Sequence, residues 1–575
     1  LVRRLLENGA NSSFVSVAAD TNVPISELLK RPQAQIGSSA QARNLHIPLP
    51  IDLYAPQRAN SNGVEFGHAA SLSALEAQVA DSAIRSFAAS VVNGIAVEGK
   101  SRNLTSPLDG AVFGQVSEAT AQIAEDAMKA AKAGFKDWAM SAVESRAAAL
   151  DKAAAALEAN LGALIKLLQV EAGKTLDDCV SEVREAVDFC RFYAAEARRT
   201  LGPGEALPGP TGEDNRLSYR GRGVFVCVSP WNFPLAIFIG QVAAALVAGN
   251  SVVAKPAEQT PLIARMAVEI LHDSGVPKTA LHLVLGGGAV GGALIDHAAV
   301  AGVAFTGSTA TAWRINRALA AKNAAIVPLI AETGGINAMI VDATALPEQV
   351  ADDVVMSAFR SAGQRCSALR LLCIQEDVAD KMLTMIAGAA RELKIGDPRD
   401  VSTHVGPVID AAALARLEAH VATMRANAKE IKIADFPSLG GTFLAPHIFE
   451  LKKISDLNAE VFGPILHVVR YKAGQLDAVC DAIEATGYGL TLGVHSRIDT
   501  AVARVTQRLS AGNIYVNRNI IGAVVGTQPF GGSGLSGTGP KAGGPNYLKR
   551  FAQEQVVSIN VAAAGGNASL MILAD

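Results

Sequence analysis

Residues 223–254, GVFVCVSPWNFPLAIFIGQVAAALVAGNSVVA, carry no charge and are long enough to cross a bilayer. Two prolines and the Gly249-Asn250 pair interrupt the stretch, however, and such residues end strands and helices. The pattern therefore predicts a buried strand (223–228), a turn, a buried helix and a second strand, not a membrane span. Two more apolar runs, at 281–285 and 302–305, each follow a helical segment. Repeated units of this kind predict an α/β fold, with helices on both faces of a parallel sheet.

The composition fits a large enzyme of this class. A chain of 575 residues, half of them apolar, can bury a sizeable core and divide into about three or four domains. Its net charge of −3 gives no electrostatic reason to expect nucleic acid or an anionic membrane as a partner. Ten histidines lack the spacing of a metal site, and six cysteines lack that of a disulfide framework. We therefore expect no metal, and reduced thiols in a cytoplasmic protein.

Upstream of this α/β region, the spacing of apolar residues is helical. It predicts helices through 75–200, most clearly at 119–138, 144–172 and 176–199. Residues 35–74 are rich in Ser, Asn, Pro and Gly, which predicts a linker.

One thiol and one carboxylate lie in separate glycine-bearing turns. Cys366 ends Gly363-Gln-Arg-Cys366, and Glu332 begins Glu332-Thr-Gly-Gly335 after an apolar run. A soft nucleophile and a carboxylate that activates water are the protein groups needed to oxidise an aldehyde through a thioester. Most cysteines are inert core residues, but Cys366 has polar neighbours, and we expect Arg365 to favour its thiolate. Burial at a strand end is expected to raise the pKa of Glu332 towards general-base use.

Polar residues at other strand ends suit a dinucleotide and an oxyanion. Asn232 can donate to the oxyanion formed by thiolate attack, although an Asn here can equally cap the next helix. The glycine-rich turn at 286–292 follows a strand and opens a helix, but its spacing is one residue longer than the usual dinucleotide fingerprint. Lys255 and Glu258 suit ribose hydroxyls, or else form an ion pair on a solvated loop. Together with Ser308 at the next strand end, they predict a dinucleotide site better than any one of them alone.

From residue 75 to its end, the chain resembles the aldehyde dehydrogenase superfamily. The motifs shared in order are PWNFP (230–234), KPAE (255–258), FTGS (305–308), ETGG (332–335), GQRC (363–366) and EVFGP (460–464). The resemblance implies a Rossmann-like NAD-binding domain, an α/β catalytic domain and a β-flap for oligomerisation. It implies that Cys366 is the nucleophile, Glu332 the general base, and Asn232 with the Cys366 amide the oxyanion hole. The implied NAD contacts are Lys255, Glu258, Gly288, Gly292, Gly307, Ser308, Glu460 and Phe462.

Longer segments resemble the C-terminal half of the bacterial proline utilization A family, at 331–340, 361–370, 522–532 and 562–570. That family oxidises proline with FAD in a barrel domain and then oxidises L-glutamate γ-semialdehyde to glutamate with NAD. By this resemblance Ser367, Gly522 and Ala523 hold the substrate carboxylate, and Phe233 and Phe530 sandwich its aliphatic part. Glu182, on a helix, is expected to meet the α-amino group. Glu258 near the ribose favours NAD over NADP, because it would repel a 2′-phosphate.

The same resemblance predicts the domain organisation. Arg3-Arg4 resembles the arginine pair of the last barrel helix, so we expect the chain to be an excised half. Its expected partner is the proline-oxidising, FAD-binding domain, which we expect to be missing from this chain. A homo-oligomer is expected, in which a flap pairs with the C-terminal tail of a partner subunit. The predicted domains are a barrel remnant (1–34), a linker (35–74), the NAD-binding domain (75–202 and 223–331), the catalytic domain (332–530), and the flap and tail (203–222 and 545–575). Three alternatives stay open: another aldehyde as substrate, a CoA-acylating reaction, and a docking half without activity of its own.

Overall fold

The computed structural model describes residues 18, 20–31, 34, 44, 46–202, 204–210, 212–434, 436 and 439–564. The chain forms two compact units, 1–60 and 61–575. Arg3-Arg4 and the segment 565–575 lie outside the described residues. The first unit includes a single helical turn, Ile25–Leu28, and a short 3-10 helix, Pro50–Asp52.

A nine-stranded sheet in the second unit carries the predicted βα repeats. Its parallel part orders the strands 329–333, 300–307, 224–228, 251–255 and 281–283 side by side. The strands predicted at 223–228, 251–254, 281–285 and 302–305 are all present, with ends shifted by up to two residues. The helix Ala236–Val247, predicted between the first two, is almost wholly buried. This confirms the α/β class, because both faces of the sheet carry buried apolar clusters.

The prediction of helices through 75–200 is wrong at 87–118. Four strands occupy that segment, at Phe87–Val92, Ile95–Val97, Lys100–Thr105 and Val112–Glu118, and they extend the same sheet. Lys100–Thr105 buries only Leu104, so this end strand has no clear apolar alternation. The alternation of apolar and polar residues that would predict a strand is therefore absent from this segment of the sequence.

The helix predicted at 144–172 is two helices, Val143–Ala159 and Leu161–Ala172, bent by 74°. Asn160 sits at the break and donates its amide to the Ala156 carbonyl (2.8 Å). Gly162 then approaches the backbone at Gln78, where a Cβ would lie 2.5 Å from the carbonyl oxygen. In the part of the chain that the structure describes, no single helix is long and apolar enough to span a membrane, although this bent pair reaches that length and composition.

A second, seven-stranded sheet follows in the chain. Its order is 429–431, 447–450, 465–471, 371–375, 338–341, 491–495 and 513–516, and every pairing is parallel except the first. Helices pack on both faces, at Pro347–Phe359 and Glu376–Arg391 on one and at Ala411–Asn427 and Leu476–Glu484 on the other. The remaining long helices are Ala69–Asp81, Ala121–Met140, Leu176–Thr200, Pro261–Asp273, Gly288–Asp296, Thr309–Ala320 and Asp499–Arg508.

A third sheet contains the predicted flap. Strands Glu205–Leu207 and Glu213–Gly221 pair antiparallel, and Ala552–Asn560 of the same chain pairs along the whole of 213–221. Val556, Val557 and Ile559 on that last strand are exposed. Residues 61–74, predicted as linker, are anchored to the second unit, because Ser61 donates to Asp188 from its backbone (3.1 Å) and its hydroxyl (2.8 Å).

Candidate active site

The candidate site lies near the point in the chain where the last strand of the first sheet is followed by the first strand of the second sheet. Glu332 is in the edge strand Leu329–Thr333 of the first sheet, and the second sheet begins six residues later with Ala338–Val341. Cys366 lies in the turn before Leu371–Gln375, the neighbour of that strand. Asn337 fixes the turn by donating its amide to the carbonyls of Cys366 (2.6 Å) and Ala368 (2.9 Å).

Cys366 is half-buried, whereas the other five cysteines are buried. Three consecutive residues before it, Ser361, Ala362 and Gly363, have left-handed backbone angles (φ 56°, 54° and 64°). Two of the three carry a Cβ, which makes this turn costly and dependent on its surroundings. Only glycine fits at position 363, since a Cβ there would lie 2.1 Å from the Gly463 carbonyl oxygen.

The charges around the thiol are acidic. Burial, and then the carboxylates of Glu460, Glu332 and Glu185, raise the pKa of Cys366 to about 12, against the lowering effect of the Ser367 backbone N–H. The prediction that Arg365 favours the thiolate is wrong, because its guanidinium is ion-paired with Asp178 (2.6 Å). Burial and these carboxylates thus favour the thiol over the thiolate.

Glu332 is 9% exposed and keeps one carboxylate oxygen without a hydrogen-bond partner. Its Oε2 accepts from the Gly532 backbone N–H (3.1 Å). Burial raises its pKa well above the usual value, against the lowering effects of that N–H and of the Lys541 cation. The expected upward shift is thus present, and its cause is desolvation.

Asn232 faces the nucleophile turn. Its side-chain amide donates to the Gln364 carbonyl, two residues before Cys366 (3.2 Å). The alternative role as a helix cap is not seen: the first N–H groups of the helix 236–247 are taken instead by Glu182, which accepts from Leu235 (2.8 Å) and Ala236 (3.3 Å).

These contacts leave Glu182 fully buried and already paired. Its other oxygen lies 2.6 Å from the Lys174 ammonium, and its exposure is 0%. The prediction that Glu182 meets a substrate amine is therefore not supported by its surroundings. Glu185, one turn along the same helix, was missed by sequence reasoning; it is partly exposed, and burial with the nearby Glu182 raises its pKa to about 7.

The other residues predicted to bind substrate lie around Cys366 and Glu332, some in direct contact with them and some held nearby through other residues. Ser367 contacts the thiol through its N–H, and the Phe233 ring lies under the Lys174 ammonium (4.0 Å). Gly522 and Ala523 are half-buried in a loop tied back to the nucleophile segment, because Ile520 donates to Ser357 and Ser357 accepts from Leu369. Phe530 precedes Gly531, whose Cα faces the free Glu332 oxygen.

The predicted nucleotide residues line the carboxyl edge of the first sheet. Lys255 is 5% exposed and donates to the carbonyls of Pro256 (2.7 Å) and Gly286 (2.8 Å), so it joins a strand end to the glycine-rich turn. Burial lowers its pKa to about 8. Glu258 is exposed, and its Oε2 faces Gly287. Ser308 caps the helix Thr309–Ala320 by accepting from the Thr311 N–H (3.3 Å).

This edge fits a dinucleotide. A Cβ at Gly288 or Gly292 would meet no protein atom within 4 Å, so the space over the start of the helix Gly288–Asp296 is open to a ligand. A helix N-terminus favours a phosphate there. Gly307 ends its strand against the ring of Phe305.

Glu460 and Phe462 connect the nucleotide edge to the thiol. A Cβ on Gly334 would collide with the Glu460 carboxylate, which explains the glycine after Glu332-Thr333. The fully buried Arg370 lies 3.8 Å from Glu460 and over the Phe462 ring (5.2 Å). Burial raises the pKa of Glu460, and Arg370 opposes that rise.

Comparison with known proteins agrees with this architecture. The profile described as the aldehyde dehydrogenase family matches residues 95–557, which is most of the chain. The chain therefore belongs to the aldehyde dehydrogenase family.

Individual relatives narrow the resemblance. The chain is 47% identical over 570 residues to the bifunctional protein PutA of Klebsiella aerogenes, covering 96% of this chain and 42% of that protein. A crystal structure of Bradyrhizobium japonicum proline utilization A is 61% identical, with a TM-score of 0.88, over 98% of this chain and 55% of that one. A Thermus 1-pyrroline-5-carboxylate dehydrogenase with bound NAD is 31% identical, with a TM-score of 0.83, over 87% of this chain and 99% of that one. The predicted resemblance to the proline utilization A family is confirmed, and the chain spans about half, or less, of the length of the two relatives from that family.

Proposed function

We propose that this chain catalyses the NAD-dependent oxidation of L-glutamate γ-semialdehyde, the open form of 1-pyrroline-5-carboxylate, to L-glutamate. The observation that carries the proposal is the convergence of Cys366, Glu332 and Asn232 beside an open glycine-rich nucleotide edge. The similarity to proteins named PutA and 1-pyrroline-5-carboxylate dehydrogenase supports this substrate, and the NAD-bound Thermus relative supports the cofactor.

In the proposed reaction, the Cys366 thiol gives its proton to solvent and the resulting thiolate attacks the aldehyde carbon. The Asn232 amide and the Cys366 backbone N–H donate to the oxyanion that forms. Bound NAD supplies the acceptor for the hydride, and a thioester on Cys366 remains. Glu332, whose free oxygen faces the space beside Gly531, takes a proton from water as that water attacks the thioester. Glutamate then leaves and the thiol is restored.

Each end of the substrate has a partner in this proposal. The Gly522-Ala523 loop and Ser367 hold the α-carboxylate, and Phe233 and Phe530 contact the aliphatic part. We assign the amine contact to Glu185 in place of Glu182, because Glu182 is closed off by Lys174 while Glu185 keeps exposed surface and its charge acts on Cys366. Lys255, Glu258, Gly288, Gly292, Gly307, Ser308, Glu460 and Phe462 would hold NAD.

The wider setting follows from the same relatives. We propose that the chain is the aldehyde-oxidising part of a bifunctional protein that acts in proline catabolism in the cytoplasm. The partner would then be a proline dehydrogenase domain, to which residues 1–34 would belong and which 35–60 would connect, because 61–74 are anchored in the second unit. The predicted pairing of the flap with a partner's tail is replaced, at 552–560, by pairing within the chain, so copies of the chain would be joined by this three-stranded sheet as a whole. Residues 75–202 with 223–331 would be the nucleotide domain, and 332–530 the catalytic domain.

The test is NADH formation at 340 nm with 1-pyrroline-5-carboxylate, against succinate semialdehyde and propanal at equal concentration. We expect kcat/KM for the first substrate to exceed kcat/KM for each of the other two by at least about 100-fold. An aldehyde that lacks the α-carboxylate or the α-amine leaves the buried polar groups of the site without a partner. Equal values for all three would contradict the substrate and leave a general aldehyde dehydrogenase. A requirement for CoA would indicate the acylating alternative.

Cys366→Ala is the control for the chemistry, with Cys480→Ala as the matched cysteine variant. We expect the first to form no NADH and the second to behave as the parent, because Cys480 is buried in the core beside Ile483. Folded parent protein with no activity towards any aldehyde would favour the docking role.

A further inference from the structure

Three charged side chains, Lys174, Asp178 and Glu182, are spaced four residues apart. Asp178 and Glu182 share one face of the helix Leu176–Thr200, and Lys174 lies two residues before its start. We call these three residues the charged face. Their exposures are 7%, 1% and 0%. Buried charges are costly unless they are paired, so their partners show what this charged face holds.

Asp178 holds the nucleophile turn. It accepts from Arg360 Nε (2.9 Å), Arg365 Nη2 (2.6 Å) and the Ser361 hydroxyl (2.5 Å). All three donors lie within the six residues before Cys366, and Ser361 is the first of the left-handed residues. A single carboxylate thus fixes both ends of the costly turn that presents the thiol.

Lys174 and Glu182 hold the segment that carries Asn232. The Lys174 ammonium donates to the Asn232 carbonyl (2.8 Å) and lies over the Phe233 ring (4.0 Å). It also pairs with Glu182, whose other oxygen takes the N–H groups of Leu235 and Ala236. The loop is therefore held at its carbonyl, its ring and the start of its helix.

The two held segments meet at the oxyanion site. Asn232 donates to the Gln364 carbonyl (3.2 Å), which lies in the turn that Asp178 holds. Both segments line one small cavity together with Lys174 and Asp178.

We propose that the charged face Lys174/Asp178/Glu182 positions the two halves of the oxyanion hole against each other, with Asp178 as the positioning residue for the nucleophile turn. The proposal rests on the proposed function, in which Cys366 and Asn232 perform the chemistry. None of the three residues needs to touch the substrate. Burial by itself would raise the pKa of Asp178, but Arg365, Arg360 and Lys174 lower it below its usual value, which keeps the carboxylate ionised for this task.

Asp178→Asn tests the proposal, with Asp151→Asn as the matched control. Asp151 pairs with Arg198, a residue of the same helix, but at the surface (2.8 Å). We expect the rate of the first NADH burst to fall by roughly tenfold or more in Asp178→Asn, because misplacement by about 1 Å can cost a hundredfold. The KM for NAD should be unchanged, and Asp151→Asn should match the parent in both. A burst rate within twofold of the parent would overturn the proposal.

The double variant Asp178→Asn with Arg365→Gln separates positioning from stability. It removes the guanidinium that Asp178→Asn leaves without its partner, so its melting temperature should return towards the parent value. If the charged face positions the turn, the burst rate stays low in the double variant. If the burst rate recovers together with the melting temperature, Asp178 only stabilises the fold and the proposal fails.

Ser361→Ala covers the case in which Asp178→Asn does not fold. It removes a hydroxyl that donates to Asp178 and accepts from Arg365 Nε (2.7 Å), and it leaves the charges balanced. We expect a severalfold slower burst with little change in melting temperature, and an unchanged burst would overturn the proposal. Cys366→Ala, measured in parallel, tests the proposed function itself: a burst in that variant would refute Cys366 chemistry whatever Asp178 does.

Discussion

The nucleotide edge and the reactive centre are built differently. At the nucleotide edge, Lys255 joins neighbouring loops, and Gly288 and Gly292 face open space. At the reactive centre, Glu332 is buried with an unpaired oxygen, and carboxylates surround the thiol. The first region is assembled from short motifs at adjacent strand ends, while the second brings together segments more than 100 residues apart, such as Asn232 and Gln364.

The difference teaches where each region is vulnerable. A site built from a short local motif depends on few contacts with the rest of the protein. A change in such a motif should therefore alter the binding of a single ligand. A centre made of distant segments and buried charges depends on electrostatic balance, so a change there should alter rates and pH dependence.

The largest effect is expected at the general base. Glu332→Gln keeps the shape of the side chain and can still accept the Gly532 N–H, but it cannot take a proton from water. Steady-state NADH formation should fall by about 10²- to 10⁴-fold while the first burst remains, because thioester formation does not need this base. Rapid-mixing absorbance at 340 nm measures both phases.

Glu392→Gln is the control for that experiment, since Glu392 is exposed at the end of the helix Glu376–Arg391. Loss of the burst together with the steady state would contradict a role for Glu332 confined to hydrolysis.

A smaller and more selective effect is expected at the nucleotide edge. Lys255→Met removes the charged donor that joins Pro256 to Gly286, so the KM for NAD should rise by roughly 10-fold. Because the pKa of Lys255 is lowered to about 8, its charge is present below pH 8 and is lost above it. The KM of the parent for NAD should therefore rise above pH 8, and that of the variant should not. Lys381→Met, at an exposed lysine, serves as the control, and a matching rise in the KM for aldehyde would argue against a nucleotide role.

Sequence reasoning served the two regions unequally, for physical reasons. The strands ending at Val228, Lys255 and Gly307 were predictable because buried parallel strands are continuous apolar runs, and ligand residues follow them directly. The strands within 87–118 and the break at Asn160 were missed, because edge exposure and a close contact with the Gln78 backbone are tertiary effects.

Roles that depend on distant partners were the hardest to predict. Arg365 lies next to Cys366 in sequence, yet its charge is taken by Asp178, 187 residues away. Glu182 was predicted from the family resemblance, and Glu185 was missed, because helix spacing alone cannot tell which of two carboxylates one turn apart meets a buried lysine. The proximity of Lys541 to Glu332 likewise required the fold.

Lys541 gives a prediction about pH. Its cation lowers the pKa of Glu332, against the larger rise from burial, and its ammonium contacts the Gly512 carbonyl. In Lys541→Met the pKa of Glu332 should rise further. Since Glu332 must be ionised to act, the acidic limb of the kcat–pH profile should move to higher pH, with slower turnover on that limb. Lys541→Arg keeps the charge and should keep the parent profile; an unshifted limb in Lys541→Met would exclude this electrostatic role.

The smallest effect is expected at the thiol itself. Burial and then Glu460 raise the pKa of Cys366, so Glu460→Gln should lower that pKa and increase the thiolate fraction at a given pH. Alkylation by iodoacetamide at pH 8 should then be a few-fold faster, because only the thiolate reacts. The native protein should take up one label and Cys366→Ala none, since the other five cysteines are buried. Glu430→Gln, at a carboxylate paired with Arg425 near the surface, should leave the rate unchanged. Slower alkylation in Glu460→Gln would mean that Glu460 acts on Cys366 mainly by holding Arg370 and the turn beside it, and the reactive centre would then depend on packing more than on charge.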